Sequence, residues 1–291
     1  MTYSAPLKDM LFAMEHLAQI DQVAQLPGFE EAGLETAQAV LEECAKLCEG
    51  VVAPLNLPGD VAPSSLKDGV VTTTAGFKQA FRQYAEGGWQ GLQHPQDFGG
   101  QGLPKLVAAA PGENIQAASL AFSLCPMLTD GVIEAILTVG SEEQRRKFVP
   151  NLIGGKWTGT MNLTEPQAGS DLAQVATRAV RQEDGSYRLS GQKIFITYGE
   201  HDLAENIIHL VLARTPDAPP GVKGISLFIV PKFLVGADGS LGPRNDVWCA
   251  SLEHKLGIHG SPTAVLLYGS GKGEAGEGAV GYLVGELNRG L

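Results

Sequence analysis

The first half of the chain alternates apolar and polar residues with helical spacing. From Leu34 to Val52 the apolar positions Leu34, Ala37, Leu41, Cys44, Cys48 and Val51 fall three and four apart, the stripe of an amphipathic helix, and Ala53-Pro54 is expected to end it. Phe77 to Glu86 repeats the pattern over a shorter span and is closed by Gly87-Gly88. Asn114 to Cys125 and Asp130 to Val139 are apolar on most faces, which predicts two buried helices. Ser141-Glu-Glu-Gln144 then has the form of a capping box, in which the Ser hydroxyl takes a free N–H at the helix start and Gln144 reaches back. That last helix is predicted to stop near Gly154-Gly155.

After Gly155 the period changes. Trp157 to Leu163 is an apolar run with strand character, and Val175 to Val180 and Tyr187 to Thr197 flank Glu183-Asp-Gly-Ser186, a hairpin turn signal. Ile207 to Ala213, Ile225 to Val230 and Ala264 to Tyr268 are further β-rich runs separated by Pro and Gly clusters. Strands at this spacing without helices between them predict an antiparallel barrel or sandwich. The fold class is therefore α+β. An all-helical domain is expected over 1–156, a β-domain over 157–284, and the start of a linker over 285–291.

Composition narrows the class of protein. With 291 residues, 44% hydrophobic and 18% charged, two ordinary globular domains fit the length. A net charge of −11 argues against a nucleic-acid groove or an anionic membrane surface, so a phosphate-bearing ligand would need a local basic spot. Cys44, Cys48, Cys125 and Cys249 show no metal-binding spacing and read as small core residues, and His201 and His209 have no ligating partners nearby in sequence, so no metal site is expected. The N-terminus lacks a basic region followed by an apolar run, and no apolar stretch is expected to reach the ~20 residues of a membrane span. A cytoplasmic location is the expectation. Gly269 to Gly278 reads as a flexible hairpin tip, since Gly273 follows Lys272 where a phosphate loop needs Ser or Thr. Asp97-Phe-Gly99 reads as a turn, and no Gly-x-Gly-x-x-Gly opens a helix after a strand, which excludes a nicotinamide dehydrogenase of the doubly wound type.

Candidate chemistry concentrates in Met161 to Asp171, Met-Asn-Leu-Thr-Glu-Pro-Gln-Ala-Gly-Ser-Asp. An extended run meets Thr164, is stopped by Pro166 and turns through Ala168, Gly169 and Ser170. Such a turn exposes backbone N–H groups beside two hydroxyls, with Gly169 where a side chain would block close approach, the parts needed to hold a flat polar ring and a phosphate. Surface turns of the same composition also occur that bind nothing. Ser190-Gly-Gln-Lys-Ile-Phe-Ile-Thr-Tyr-Gly199 follows one hairpin later, its Gln192 and Lys193 reading as strand surface.

This pair of stretches resembles the two flavin-binding signatures of the acyl-CoA dehydrogenase family. Leu26-Pro-Gly-Phe-Glu-Glu, Gly87-Gly-Trp-Gln-Gly-Leu, Asp97-Phe-Gly-Gly-Gln-Gly-Leu, Gly221-Val-Lys-Gly-Ile-Ser, Glu253-His-Lys-Leu-Gly-Ile-His-Gly-Ser-Pro-Thr and Tyr282-Leu-Val-Gly-Glu extend the likeness, towards the branch that includes the methylmercaptopropionyl-CoA dehydrogenases. The resemblance implies FAD as cofactor, met by Met161, Leu163, Thr164, Gly169, Ser170, Phe195, Ile196 and Thr197. Thr164 would face the pyrimidine edge, Phe195 pack on the ring, Thr197 lie near N5, and Ser170 touch both the pyrophosphate and the substrate arm. It implies an acyl-CoA substrate, electron-transfer flavoprotein as acceptor, and a homo-oligomer or a partner subunit. In the family the catalytic carboxylate lies in a C-terminal helical domain, so the chain is expected to be truncated, without a catalytic residue of its own and inactive alone. Glu165 and Glu200 are not assigned to that role. The alternative expectation is a non-catalytic flavin-site or structural subunit of a larger complex.

Overall fold

The computed structural model describes residues 3–290. Its first half is a helical layer: α1 (Leu7–Phe12), α2 (Ile20–Val23), α3 (Leu34–Leu47), α4 (Asn56–Val61), then after a small hairpin α5 (Phe77–Glu86), α6 (Lys105–Ala118), α7 (Leu120–Val139) and α8 (Glu142–Ile153). The hairpin, β1 (Ser65–Lys67) with β2 (Val70–Thr72), means that this domain is not wholly helical. The stripe on α3 faces inward as its spacing requires: Cys44 and Cys48 join Phe77, Phe81, Phe122 and Cys125 in one core. All four cysteines are free and buried.

Helix boundaries differ from the sequence reading at Ala53-Pro54 and around α6 and α7. The chain does not straighten at Ala53-Pro54; a wide turn over Cys48–Val52 and a tight one over Ala53–Leu55 carry it into α4. Pro54 occupies the first turn of a new helical segment, where a missing N–H costs nothing. The predicted pair Asn114–Cys125 and Asp130–Val139 is in fact α6 and α7, parted at Ser119, whose extended backbone and hydroxyl cap α7 by accepting from the Phe122 N–H (3.4 Å). Pro126 lies inside α7 and does not end it. Being 20 residues long and apolar, α7 also has the length and composition of a membrane span, against expectation; half of it is buried, and it packs between the sheet and its neighbouring helices as a core helix. The capping box at Ser141 forms as predicted, with Ser141 Oγ accepting from Gln144 N (3.2 Å) and Gln144 Oε1 from Ser141 N (3.0 Å).

The second half holds β3 (Trp157–Asn162), β4 (Arg178–Arg181), β5 (Tyr187–Thr197), β6 (Asn206–Ala213), β7 (Ser226–Pro231), β8 (Phe233–Val235), β9 (Leu241–Arg244), β10 (Val247–Leu252), β11 (Thr263–Tyr268) and β12 (Ala279–Val284). Eight of them form a sheet in the order β10-β11-β5-β12-β7-β6-β3, with β4 also on β5. Every pairing is antiparallel except β3 with β6, which is parallel. The long β5 turns a corner: Tyr187 to Leu189 pair with β12, while Gly191 to Thr197 pair with β11.

This corner folds the sheet over a core of its own, containing Leu189, Ile196, Val211, Phe228, Val230 and Leu266. The opposite faces of β6 and β7, through Ile208, Leu210 and Ile229, pack on Val132, Ile133 and Ile136 of α7 and on Phe148 of α8. Strands covered on both sides lose alternation, which is why β6 is apolar almost throughout and buried at all eight positions. Helix α7 approaches β3 closely at Gly159, where an added Cβ would stand 2.6 Å from Val132 Cβ.

Candidate functional site

At the end of β3 the chain leaves the sheet through Leu163 and Thr164 and doubles back over Glu165 to Ala168. Two reciprocal backbone bonds close that turn, Glu165 N to Ala168 O and Ala168 N to Glu165 O, both 3.0 Å. Pro166 takes an exposed corner where no N–H is needed. Gly169 and Ser170 follow, both exposed, and a Cβ on Gly169 would meet no atom within 4 Å. The space in front of that backbone is open. Asp171 then ends the turn by accepting from the Ala173 N–H (3.0 Å).

The second stretch lies along β5 and carries a bulge. Lys193 is in register with Leu266, and Ile196 with Ala264, so three steps on β5 oppose two on β11. Phe195 absorbs the extra residue with φ of +58°, a left-handed backbone that bulky residues seldom adopt, and its ring is 58% exposed. Thr197, half-buried, sits opposite Thr263 on the same outward side. The side chain of Ile196 points inward, 2% exposed in the sheet core. Of the cofactor residues expected on this strand, Ile196 therefore offers only its backbone.

The structure joins the two stretches directly. Ile194 N–H donates to the Thr164 carbonyl (2.9 Å). Lys193, expected on the strand surface, is instead fully buried, and its Nζ donates to the Leu163 carbonyl (2.9 Å) and to Glu165 Oε1 (2.8 Å). Glu165 also accepts from Thr177 Oγ1 (2.6 Å), Thr177 N (3.1 Å), Ala176 N (2.7 Å) and Gln167 Nε2 (2.6 Å). Burial alone would raise the pKa of this carboxyl, but the Lys193 and Thr177 hydrogen bonds and the ammonium charge outweigh it and hold the group below its ordinary range. Burial likewise lowers the pKa of Lys193, opposed by the carboxylate. The sequence reading put Gln192 and Lys193 together on the strand surface, although neighbouring residues of a strand face opposite sides, and so missed Lys193.

Glu200, just past Thr197, is 2% exposed and is bound by Lys232 and by Arg244 Nη2 (3.1 Å). Next to it His201 accepts from the Leu203 N–H at Nδ1 (3.1 Å) and meets Thr158 Oγ1 at Nε2 (2.9 Å), while His209 Nδ1 meets Thr160 Oγ1 (2.7 Å). Burial brings both imidazoles down to about 3, so they are neutral. Among the described residues no group of three or more His, Cys, Asp or Glu converges on a metal position.

A cavity of about 320 Å³ lies among the helices, lined in part by Tyr84, Trp89, Gln90, Gln93, Ser123 and Asp130. Gln90 Oε1 is buried there without a partner. The cavity and the two-stretch site share α7. Tyr198 donates to the Ala121 carbonyl (2.6 Å), and Ser123 stands two residues further along the helix.

An outward aromatic face, an open glycine turn and hydroxyls at Thr164, Ser170 and Thr197 are what a flat heterocycle carrying a phosphate tail requires. The site sits on a helical layer followed by a folded-over sheet, and comparison with known families shows where that arrangement belongs. Residues 34–156 match the model of the acyl-CoA dehydrogenase N-terminal domain and residues 160–268 that of the acyl-CoA dehydrogenase middle domain. The chain belongs to the acyl-CoA dehydrogenase family. It is 53% identical over all 291 residues to 3-methylmercaptopropionyl-CoA dehydrogenase of Ruegeria pomeroyi, covering 48% of that protein. It is 38% identical over 290 residues to a butyryl-CoA dehydrogenase of Syntrophomonas wolfei, covering 98% of this chain and 46% of the relative. Among solved structures, butyryl-CoA dehydrogenase from Megasphaera elsdenii superposes with a TM-score of 0.67 at 25% identity, over 87% of this chain and 59% of that one. The chain spans about half the length of the curated relatives it matches.

Proposed function

We propose that this chain builds the flavin-binding side of an FAD-dependent acyl-CoA dehydrogenase that desaturates an acyl-CoA thioester between its α and β carbons. The observation that carries the reading is the exposed Phe195 ring on a left-handed bulge, tied by the Ile194 to Thr164 bond to the turn that opens at Gly169. FAD is the family's cofactor, and the residues present fit it, since the backbone before Ser170 faces open space and an aromatic face stands exposed where a ring can lie. When bound, FAD supplies hydride acceptance.

The chain's own residues have separate tasks. Thr164, through its N–H and hydroxyl, would hold the pyrimidine edge of the ring, and Thr197 would donate nearby, where hydrogen-bond donors favour negative charge. Phe195 covers the ring and excludes water. Ser170 meets the phosphates and the substrate arm. We place the acyl chain in the helical cavity, whose lining shares α7 with the Tyr198 contact of the second stretch. Glu165 is committed to Lys193 and Glu200 to Lys232 and Arg244, and neither is free to take an α-proton. Family resemblance, rather than elimination within this chain, assigns the base outside the described residues and gives electron-transfer flavoprotein the role of acceptor.

The purified chain should bind FAD, followed by quenching of flavin fluorescence, yet show no acyl-CoA-dependent reduction of an artificial acceptor. Turnover at a typical enzymatic rate, on the order of 1 per second or more, would place a base inside the chain and overturn the assignment. The same committed carboxylates also fit a non-catalytic flavin-site subunit. Supplying a base-bearing helical partner restores turnover in the first case and leaves it absent in the second.

A further inference from the structure

We propose that the buried Lys193–Glu165 pair is a positioning pair for the flavin edge, fixing the Leu163–Thr164 peptide and the Phe195 bulge in the orientation the ring needs. The inference rests on the flavin reading above and deepens it. Lys193 Nζ holds the Leu163 carbonyl at 2.9 Å. In a trans peptide the N–H points opposite to the carbonyl, so drawing that oxygen inward to the ammonium turns the Thr164 N–H outward, away from the sheet. Lys193 is also the last residue in regular register with β11 before the bulge, so the anchor that sets the Thr164 peptide sets where Phe195 emerges. Glu165 completes the lock from the other side, since its two oxygens take the Ala176 and Thr177 N–H groups and hold the turn against the next segment.

Packing alone does not account for the pair. Two charges are costly to bury, and apolar side chains of similar volume fill such a space at no loss of stability. Here the ammonium bonds to a main-chain carbonyl of the site turn, and the carboxylate to main-chain N–H groups beside it. The geometry it imposes is that of the site backbone.

The test uses the whole 291-residue chain. Lys193→Met removes the ammonium and keeps the length of the side chain. Without flavin, hydrogen exchange read by NMR should speed up at the Ile194 amide by about tenfold to a hundredfold, the loss expected when a hydrogen bond to a charged group is removed, while amides of β6 and β7 follow only the global change. With FAD, the dissociation constant of the folded variant should rise by a similar factor, and Lys193→Arg should recover part of it. A lowered melting temperature with Ile194 exchange and FAD affinity both unchanged assigns the pair to general stability and overturns the proposal. If Lys193→Met does not fold, Glu165→Gln carries the same two readouts, because its NH2 group replaces the oxygen that accepts from the Ala176 N–H and loosens the turn, while its amide oxygen keeps Lys193 partnered. A wild-type chain that takes up no FAD sinks the flavin reading, while Ile194 exchange still decides whether the pair orders the turn.

Discussion

Acidification from pH 6.5 to 4.5 should destabilise this protein chiefly through two histidines that take no part in the proposed chemistry. His201 and His209 are each about 1% exposed, and burial brings each imidazole down to about 3. The hydrogen bonds show why. Leu203 N–H already donates to His201 Nδ1, so that nitrogen is an acceptor and the ring proton sits on Nε2, facing Thr158; a second proton would set two donors against each other. Thr160 Oγ1 accepts from Asn162 Nδ2 and is left to donate to His209 Nδ1. The unfolded chain titrates near 6.5 and the folded one far lower, so the stability is complete above 6.5 and falls as pH falls towards 3. Each ring costs about 1.4 kcal/mol per pH unit in that window. From pH 6.5 to 4.5 this amounts to about 2.5 kcal/mol for one ring and about 5 for both, against a typical total of about 5–15.

The window isolates the histidines from the carboxylates. Glu165, and Asp130 beside His94, are held below ordinary values of 4.5 and 3.8, so their stabilisation is present above those values and is lost only at lower pH. Urea denaturation at half-unit steps of pH measures the slope. His201→Gln keeps a donor for Thr158, and His209→Asn keeps an acceptor at the Nδ1 position. Each should remove about 1.4 kcal/mol per pH unit from the slope, and the double variant should be nearly flat. A double variant with the wild-type slope would show that the rings titrate in the folded protein, and the burial argument would fail.

Two further outcomes follow from close contacts. Gly159→Ala would bring a Cβ to 2.6–2.9 Å from three atoms of Val132, so overpacking of about 1–3 kcal/mol is expected, and adding Val132→Ala removes two of those atoms and should recover part of it; equal losses in both backgrounds by urea melts would refute the contact. Phe195→Gly relieves a left-handed backbone worth about 1–2 kcal/mol, offset in part by glycine entropy of about 0.5–1, so stability should hold or rise slightly while FAD affinity falls. A loss of several kcal/mol in the melt would mean that the ring supports the core.

Much of this was legible because local chemistry and tertiary packing agree. The Ser141 box, the Gly87-Gly88 stop of α5 and the change of period at Lys156 each depend on residues adjacent in sequence, and each stands where the pattern puts it. The break at Ser119 was not legible, because prolines at 111 and 126 suggest interruptions that the surrounding helices override. The β-rich runs gave the strands they spanned, but β8 and β9 are only three and four residues long, and the apolar β10 and β12 were not among the runs read as strands.

The candidate site shows the same division at the scale of single residues, and here the missed signal can be named. Tyr187 and Leu189 fall on the inward parity of β5, and continuing that parity reaches Lys193. Ile196 and Tyr198 are inward on the opposite parity. An apolar pattern that changes parity within one strand demands an extra residue between the two sets, because a bulge alone lets both face the core. The sequence therefore contains both the bulge and the buried lysine, provided the alternation is followed from each end. What it does not contain is the partner. Glu165 lies 28 positions earlier, in a turn whose composition suits any exposed loop, and only the fold brings its carboxylate to 2.8 Å from Lys193. The aromatic face and the glycine turn are thus local properties of two motifs, whereas their mutual placement is a property of the sheet, through a charge pair that neither motif specifies by itself.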